Sequence, residues 1–275
     1  MKPISFIFLF ALLLWNGCGL GNKAQHPNTR EGQTVFFLDF EHNDVGSYLE
    51  DALLKDAGEL NWMSLENRAT IVNDGQRGKV LKVLYPMGAV GPEKGGIQFD
   101  KPLPKSQEYY LEYHLKFSES FDFALGGKLP GLTSGGETYT GGNKPIEGDG
   151  WSTRYMWVEQ GELVVYFYHL GMQHQWGDAL ETHTFLVPGK WYRLTQHITL
   201  NDGDQANGSI RVWVDGKKVL EDSTIQYRMA PKGLIDSFYF STFHGGNTPD
   251  WAPEKDAFIY FDTFNVTTQR PDGLE

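Results

Sequence analysis

From residue 34 onward, the chain consists of short segments in which apolar and polar residues alternate. A period of two residues indicates a β-strand with one buried face, because successive side chains of a strand point to opposite faces. Glycine, proline, asparagine and aspartate, which favour turns, stand between these segments. The predicted strands are 34–40, 69–72, 79–85, 96–99, 109–117, 151–157, 163–170, 191–200, a hairpin over 208–219, 237–243 and 257–266.

Helical periodicity is weak, and only residues 48–57 are compatible with one short helix. Many short strands with turn signals at nearly regular spacing predict an all-β fold, a jelly-roll β-sandwich. A chain of 275 residues with 40% hydrophobic and 14% aromatic content can bury a substantial core. Neither a repeat nor a linker interrupts the pattern, so we expect residues 34–275 to form a single domain.

The N-terminal residues have the pattern of an export signal. Lys2 precedes an apolar run over residues 4–14, which is too short to span a membrane and is typical of a signal-peptide core. Cys18 follows this core and is the only cysteine, so the chain can form no intrachain disulfide. We predict that residues 1–18 are a signal peptide with a lipobox and that 19–33 are a flexible tether.

Lipidation of Cys18 would anchor the protein in a bacterial cell envelope, with the lipid as its contact with the membrane. Trp15 occupies the position where a lipobox usually has leucine. The alternative is therefore a signal that is simply cleaved, with an incidental cysteine, which predicts a secreted protein.

The formal net charge of −11 argues against a nucleic-acid partner, because nucleic-acid-binding proteins present a basic surface. It leaves an acidic substrate open, since a few cations in a cleft can dominate the local field. The candidate cations lie in the stretch from residue 126 to 170, which begins with a predicted glycine-rich loop that carries Lys128 and Lys144.

Two predicted strands follow this loop, joined by a short connector over residues 159–162 that suits a hairpin. Alternation places Ser152, Arg154 and Met156 on one face of the first strand. In the second strand, it places Tyr166 and Tyr168 on one face, together with Val164. If the strands pair, these side chains share one surface, and Lys128 reaches it from the loop.

Several other chemistries lack their sequence patterns. The Glu-x-Asp-x-x-Glu strand of jelly-roll glucanases is absent, and so is the glycine spacing of a phosphate loop. The histidines at 169, 174 and 183 do not have the His-x-x-x-His spacing of a zinc helix. Ser152 lacks the glycines of a nucleophile elbow.

A cluster of lysine, arginine and tyrosines suits β-elimination in a uronic-acid polysaccharide. Removal of the proton at C5 builds negative charge next to a carboxylate, and cations must neutralise that charge. A tyrosine can act as base and acid if neighbouring cations lower its pKa. The alternative is that both tyrosines are ordinary strand aromatics and that Arg154 is a surface residue.

The sequence resembles polysaccharide lyase family 14, which contains alginate lyases with a β-jelly-roll fold. The resemblance spans roughly residues 35 to 267. It rests on the segments YP (85–86) to GGIQF (95–99), GGKLPGL (126–132), GWSTRYMW (150–157), YFY (166–168), STFHGG (241–246) and WAP (251–253). The combination of GGKLPGL with S-x-R and Y-x-Y is specific, whereas each segment alone is weak.

The resemblance implies a lyase that cleaves a 1,4-linked polyuronate, with alginate first and glucuronan second. Lys128 and Arg154 would neutralise the carboxylate, Tyr166 or Tyr168 would act as base and acid, and Ser152 would orient the substrate or its neighbours. Further candidates for substrate binding are Lys144, His169, His244 and Trp251. The reaction requires no cofactor or metal, and we expect a monomer. The competing hypothesis is a non-catalytic carbohydrate-binding jelly-roll protein.

Overall fold

The computed structural model describes residues 34–275. The predicted signal peptide, Cys18 and the tether lie outside the described residues. Within these residues there is one α-helix, α1, which spans Glu50–Ala57, and short 3₁₀ turns occur at Glu159–Gly161 and Pro249–Trp251. The strands are β1 (Thr34–Leu38), β2 (Gly46–Ser47), β3 (Trp62–Ser64), β4 (Ala69–Asp74), β5 (Gly78–Tyr85), β6 (Ile97–Ser106), β7 (Glu108–Phe117), β8 (Gly126–Ser134), β9 (Trp151–Val158), β10 (Glu162–Tyr168), β11 (Asp178–Phe185), β12 (Trp191–Thr199), β13 (Gly208–Val214), β14 (Lys217–Ile225), β15 (Ile235–His244) and β16 (Ala257–Thr267).

The strands form two antiparallel sheets. Sheet A has nine strands in the order β14-β13-β12-β7-β16-β5-β4-β2, with β1 paired to β16. Sheet B has seven strands in the order β11-β10-β9-β8-β15-β6-β3. The two sheets pack face to face, which confirms the predicted jelly-roll β-sandwich.

The core between the sheets is formed by the alternate, inward-facing residues of each strand. It is rich in aromatic rings: Phe99 stacks on Phe240 with ring centres 4.7 Å apart, and Tyr113 stacks on Phe264 at 5.2 Å. In β9 and β10, the core positions are occupied by Tyr155, Trp157, Leu163 and other residues with almost no exposed surface. The intervening residues of these strands therefore face outward from sheet B.

The prediction of a glycine-rich loop at residues 126–134 is wrong, because this segment is the central strand β8. Its glycines allow close packing of neighbouring strands. A Cβ atom on Gly131 would lie 2.0 Å from the carbonyl oxygen of Thr153, and one on Gly127 would lie 2.1 Å from the Trp157 ring. Close backbone approach is a recognised reason for glycine inside a strand.

Other elements were predicted only in part. The short helix is confirmed, as are the β9–β10 hairpin and the β13–β14 hairpin. The strand β6 continues to Ser106 through two prolines, beyond the predicted end at Phe99. The strand β11 was not predicted, because polar residues dominate its sequence. Among the described residues, no helix is both long and apolar enough to cross a membrane.

Candidate active site

The predicted site residues meet on the outward face of sheet B. In the pairing of β9 with β10, Arg154 is opposite Tyr166 and Ser152 is opposite Tyr168. The adjacent strand β8 brings Lys128 opposite Met156. Opposed residues of an antiparallel pair project to the same side. The register therefore gathers the five candidate catalytic side chains on one surface of three neighbouring strands.

Among the described residues, the buried amino group of Lys128 has no anionic partner. Its Nζ atom lies 2.9 Å from the sulfur of Met156 and 3.6 Å from the centre of the Tyr166 ring. Only 8% of its surface is exposed. Burial, followed by repulsion from Arg154, holds the pKa of Lys128 well below its usual value.

Arg154 is 3% exposed and is also held by neutral groups. Its Nη1 atom donates a hydrogen bond of 3.1 Å to the hydroxyl of Ser241. Its guanidinium carbon lies 5.4 Å from the centre of the Tyr239 ring and 5.9 Å from that of Tyr166. Its Nε atom is buried and has no hydrogen-bond partner in the part of the chain that the structure describes.

Within residues 34–275, neither Lys128 nor Arg154 forms a salt bridge with a carboxylate. Buried charges are normally paired, because desolvation strongly disfavours an isolated ion. Two adjacent buried cations without a counter-ion therefore form a site that an anion would stabilise.

The hydroxyl groups of Tyr166 and Tyr168 are 3.3 Å apart. Burial raises the pKa of Tyr166 above its usual value, the hydrogen bond with Tyr168 raises it further, and Arg154 lowers it by a smaller amount. We expected cations to lower the pKa of a tyrosine here, but desolvation outweighs them at Tyr166. Its hydroxyl is therefore suited to donate a proton.

Two loops cover these hydroxyl groups. The 135–150 loop joins β8 to β9, and the 169–177 loop joins β10 to β11. Tyr168 accepts a hydrogen bond of 3.0 Å from the N–H of Gly142, and Ser152 donates one of 2.6 Å to the carbonyl of Tyr139. The hydroxyl of Tyr166 donates to the carbonyl of Trp176.

The loops also contact each other, since the side-chain amide of Gln175 donates a hydrogen bond of 3.0 Å to the carbonyl of Gly142. The Trp176 ring packs directly over Gly142, where a Cβ atom would lie 2.7 Å from it. Tyr168 has no exposed surface beneath this contact. The loops form a cover over the tyrosine end of the site.

The 169–177 loop is anchored by Asp178, the first residue of β11. Its carboxylate accepts hydrogen bonds from the backbone N–H groups of Gln173 and His174 and lies 2.8 Å from the His174 ring. Burial raises the pKa of Asp178, but these hydrogen bonds and one from His169 outweigh burial and lower the pKa to about 2.

Two predicted substrate-binding histidines face away from the site. His169 stacks on Phe167 at 4.4 Å and lies 3.0 Å from the Asp178 carboxylate. His244 is 1% exposed and stacks on Phe121 in the aromatic core. Each neighbours an outward-facing strand residue, so alternation directs it to the opposite face. Both rings therefore lie in packing environments, and their role in substrate binding stays a prediction.

The other two candidates lie at the edges of the site. Lys144 is half-buried on the 135–150 loop, two residues after Gly142. Trp251 lines a depression of about 490 Å³ together with Val158 and Glu162. Val158 lies two residues after Met156 in β9, and Glu162 lies two residues before Val164 in β10, so both face outward. Because Lys128 is opposite Met156, this depression extends the site beyond Lys128.

Sequence reasoning missed a row of polar side chains on β15 and β6. Ser237, Tyr239 and Ser241 alternate along β15 and face outward beside Arg154 and Lys128. Gln98 of β6 lies opposite Ser241. The alternating sequence Ser-Phe-Tyr-Phe-Ser at 237–241 could have predicted that these polar side chains share one face of the strand.

The described residues include one group of possible metal ligands, Glu162, Glu181 and His183. These side chains are exposed or half-exposed at the β10–β11 edge, and their ligand atoms lie within 4.8 Å of one another. Glu162 stands four residues before Tyr166 in β10, so the group is separate from the cations and tyrosines. The site therefore contains two buried basic groups that can bind an anion. It also contains an amine of lowered pKa and two phenols, which can exchange protons with a substrate.

The model of the family described as Polysaccharide lyase 14 matches residues 73–264 of this chain. No curated protein matches the chain.

Among solved structures, the alginate lyase Aly36B is 25% identical, with a TM-score of 0.74, and the match covers 88% of this chain and 98% of that one. A mutant of Aly36B was solved in complex with alginate trisaccharide. The marine PL-14 alginate lyase from Aplysia kurodai is 22% identical, with a TM-score of 0.73 over 86% of this chain and 99% of that one. The endo-β-1,4-glucuronan lyase from the fungus Trichoderma reesei is 15% identical, with a TM-score of 0.53 over 86% and 96%. The latter two similarities concern the fold.

Proposed function

Because the chain belongs to the polysaccharide lyase 14 family, we propose that it cleaves a 1,4-linked polyuronate by β-elimination, with alginate as the first candidate substrate and glucuronan as the second. Membership makes the protein a polysaccharide lyase, and the alginate and glucuronan lyases with a similar fold support a polyuronate substrate. The choice of alginate rests on the similarity of this chain to the alginate lyase Aly36B.

The observation that carries the proposal is the buried Arg154 guanidinium, which has no counter-ion among the described residues and lies on the same face as the buried Lys128 amine and two tyrosine hydroxyls. Each repeating unit of a polyuronate has one carboxylate, which can neutralise Arg154 through a charge-assisted hydrogen bond from its unpartnered Nε atom. The same interaction stabilises the dianion that forms when the C5 proton leaves.

The reaction then needs one proton acceptor and one proton donor. The acceptor takes the proton from C5, the bond from C4 to the bridging oxygen breaks, and the donor protonates that oxygen. A double bond forms between C4 and C5 of the new non-reducing end. No oxidant, reductant or water is consumed.

Within this proposal, Lys128 is the acceptor and a tyrosine is the donor. Burial and Arg154 lower the pKa of Lys128, so a fraction of its amine is neutral and able to accept a proton. Burial raises the pKa of Tyr166, so its phenol stays protonated and can donate. This differs from the expectation from sequence, in which Lys128 only neutralises charge and a tyrosine is the base.

The test is the ultraviolet absorbance of the unsaturated product, measured with polymannuronate, polyguluronate and glucuronan as substrates. We expect one polymer to give product, and we expect Lys128→Arg to lose at least about a hundredfold in kcat, since a permanently charged guanidinium cannot accept the proton. A largely active Lys128→Arg would assign Lys128 to charge neutralisation and the base to a tyrosine.

The competing carbohydrate-binding function predicts a different result. A binding protein would retain polymer in a sedimentation or gel-retardation assay yet yield no unsaturated product from any of the three polymers. That outcome would overturn the lyase proposal.

We further propose that the protein is exported and anchored through a lipid on Cys18. The charged residue, apolar run and cysteine of the first 18 residues support this proposal. Membrane fractionation of cells that express the full chain tests it. We expect Cys18→Ser to move the protein from the membrane fraction to the soluble fraction, and an unchanged distribution would contradict lipidation.

A further inference from the structure

A group of uncharged side chains holds the guanidinium of Arg154. The hydroxyl of Ser241 accepts the hydrogen bond from Arg154. The same hydroxyl lies 3.4 Å from the side-chain nitrogen of Gln98, which donates a shorter hydrogen bond of 2.7 Å to the hydroxyl of Tyr239. The Tyr239 ring in turn lies beside the guanidinium.

All members of this group are nearly inaccessible. Gln98 is 7% exposed, Tyr239 2%, and Ser241 has no exposed surface. They come from two strands adjacent to each other in sheet B, β6 and β15, on which Gln98 is opposite Ser241. The arrangement is therefore fixed by backbone pairing as well as by hydrogen bonds.

The neutrality of the group has a physical consequence. A buried guanidinium is usually held by a carboxylate, which gives it position but also cancels its charge. Here two hydroxyls and an amide limit its orientation, and the full positive charge remains for a ligand. A carboxylate at residue 98 would occupy almost the same volume, but it would compete with an anionic ligand for the guanidinium.

We propose that Gln98 is a positioning residue that acts through Ser241 and Tyr239 to orient Arg154 for the uronate carboxylate without neutralising it. The inference rests on the proposed lyase function for its substrate. The link between Gln98 and Arg154 stands on the geometry alone, so it can be tested without activity.

The first test measures melting temperatures in a double-mutant cycle of Gln98→Glu and Arg154→Met. With Arg154 present, the introduced carboxylate gains a buried partner, so we expect an unchanged or higher melting temperature. With Arg154→Met, the carboxylate is buried alone, and we expect the melting temperature to fall by several degrees. Equal effects in both backgrounds would overturn the link, whether or not the protein is a lyase.

The second test compares kinetics on the polymer that the wild-type protein cleaves. We expect Gln98→Glu to raise KM about tenfold with a smaller change in kcat, because the introduced carboxylate competes with the substrate for one charge. Gln205→Glu is the matched control, since it adds the same charge on an exposed loop between β12 and β13. Its KM should stay within about twofold of the wild-type value.

The two tests give distinguishable failures. A stable Gln98→Glu variant with an unchanged KM would overturn the positioning role while leaving the lyase function intact. A wild-type protein that cleaves none of the polymers would overturn the lyase function, and the melting temperatures would still decide whether Gln98 and Arg154 are coupled.

Discussion

At the scale of single residues, the site depends on two opposite effects of burial. Desolvation disfavours the charged form of any group, so it lowers the pKa of an amine and raises that of a phenol. Lys128 and Tyr166 show these opposite shifts although the lysine ammonium lies over the tyrosine ring at 3.6 Å. One environment therefore favours the uncharged form of both groups, which makes the amine a better proton acceptor and keeps the phenol able to donate a proton.

These directions predict the pH dependence of activity. The base must be neutral, so kcat should rise as the pH increases through the pKa of Lys128, which burial and Arg154 hold well below the usual pKa of a lysine. The acid must be protonated, and the pKa of Tyr166 lies above 10.0, so activity should not decline below that pH. A pH profile of kcat on the cleaved polymer measures both limbs.

The control for this profile is Gln205→Ala, at an exposed position on the loop between β12 and β13 of sheet A, which should leave kcat and the midpoint of the rising limb unchanged, since Lys128, Arg154 and Tyr166 all lie on sheet B. A profile that falls with increasing pH between neutrality and pH 10 would contradict the assignment, because it would require a protonated lysine.

Residue spacing in the sequence predicted a large part of this cluster. Alternation alone placed Ser152 with Arg154 and Tyr166 with Tyr168, and the observed register joins the two pairs. The same alternation places His169 and His244 on the inward side of sheet B, because each follows an outward-facing residue of its strand. The pKa shifts could not be predicted, since they depend on how deeply the folded sheet and its covering loops bury each group.

At the scale of elements, β8 determines how closely the site residues approach. Gly131 lies opposite Arg154 in the β8–β9 pair, and its missing side chain leaves room for the backbone of the neighbouring strand at Thr153 and Arg154. The glycine-rich sequence favoured the prediction of a loop, because glycine has the most conformational freedom of all residues. The requirement for close packing arises only when β9 and β15 flank β8 in the folded sheet.

We predict that Gly131→Ala destabilises the fold by about 1–3 kcal/mol, because its Cβ atom would lie 2.0 Å from a backbone oxygen that cannot move aside alone. Denaturant unfolding measures the change. Gly75→Ala is the matched control, since nothing lies within 4 Å of the added Cβ atom in that turn. Equal stability of the two variants would show that β8 and β9 can separate at little cost.

The two covering loops, 135–150 and 169–177, also influence how substrate reaches the site. The hydroxyls of Tyr166, Tyr168 and Ser152 all form hydrogen bonds to these loops, so the loops compete with a polymer for the same hydroxyls. The hydrogen bond from Gln175 to the Gly142 carbonyl joins the two loops directly, beside the packing of the Trp176 ring on Gly142. Opening of this cover is therefore expected to contribute to the apparent affinity for substrate.

We predict that Gln175→Ala raises kcat/KM by up to about fivefold, since one hydrogen bond no longer opposes opening. Steady-state kinetics on the polymer measures this effect. Gln173→Ala is the matched control, because the Gln173 side chain bonds to Gly171 within its own loop. A decrease in kcat/KM for Gln175→Ala alone would show instead that the closed cover is the form that holds substrate for reaction.

At the scale of the whole molecule, the charge distribution poses an electrostatic conflict. The chain carries a formal net charge of −11, whereas the proposed substrate is a polyanion. At the centre of the site, the attraction comes from Lys128 and Arg154, which are buried. Long-range repulsion and short-range attraction therefore act at different distances, and dissolved salt screens the longer-range interaction more strongly.

This difference predicts an unusual response to salt. The screening length falls from about 30 Å at 0.01 M to about 10 Å at 0.1 M, so added NaCl should weaken the repulsion that slows encounter while leaving the buried contacts largely intact. We expect kcat/KM on long polyuronate to rise over this range. A trisaccharide of the same uronate, which carries far fewer charges, should respond less and serves as the control. A steady decline of kcat/KM with salt would instead indicate an exposed basic track that guides the polymer, which is the usual behaviour of proteins that bind polyanions.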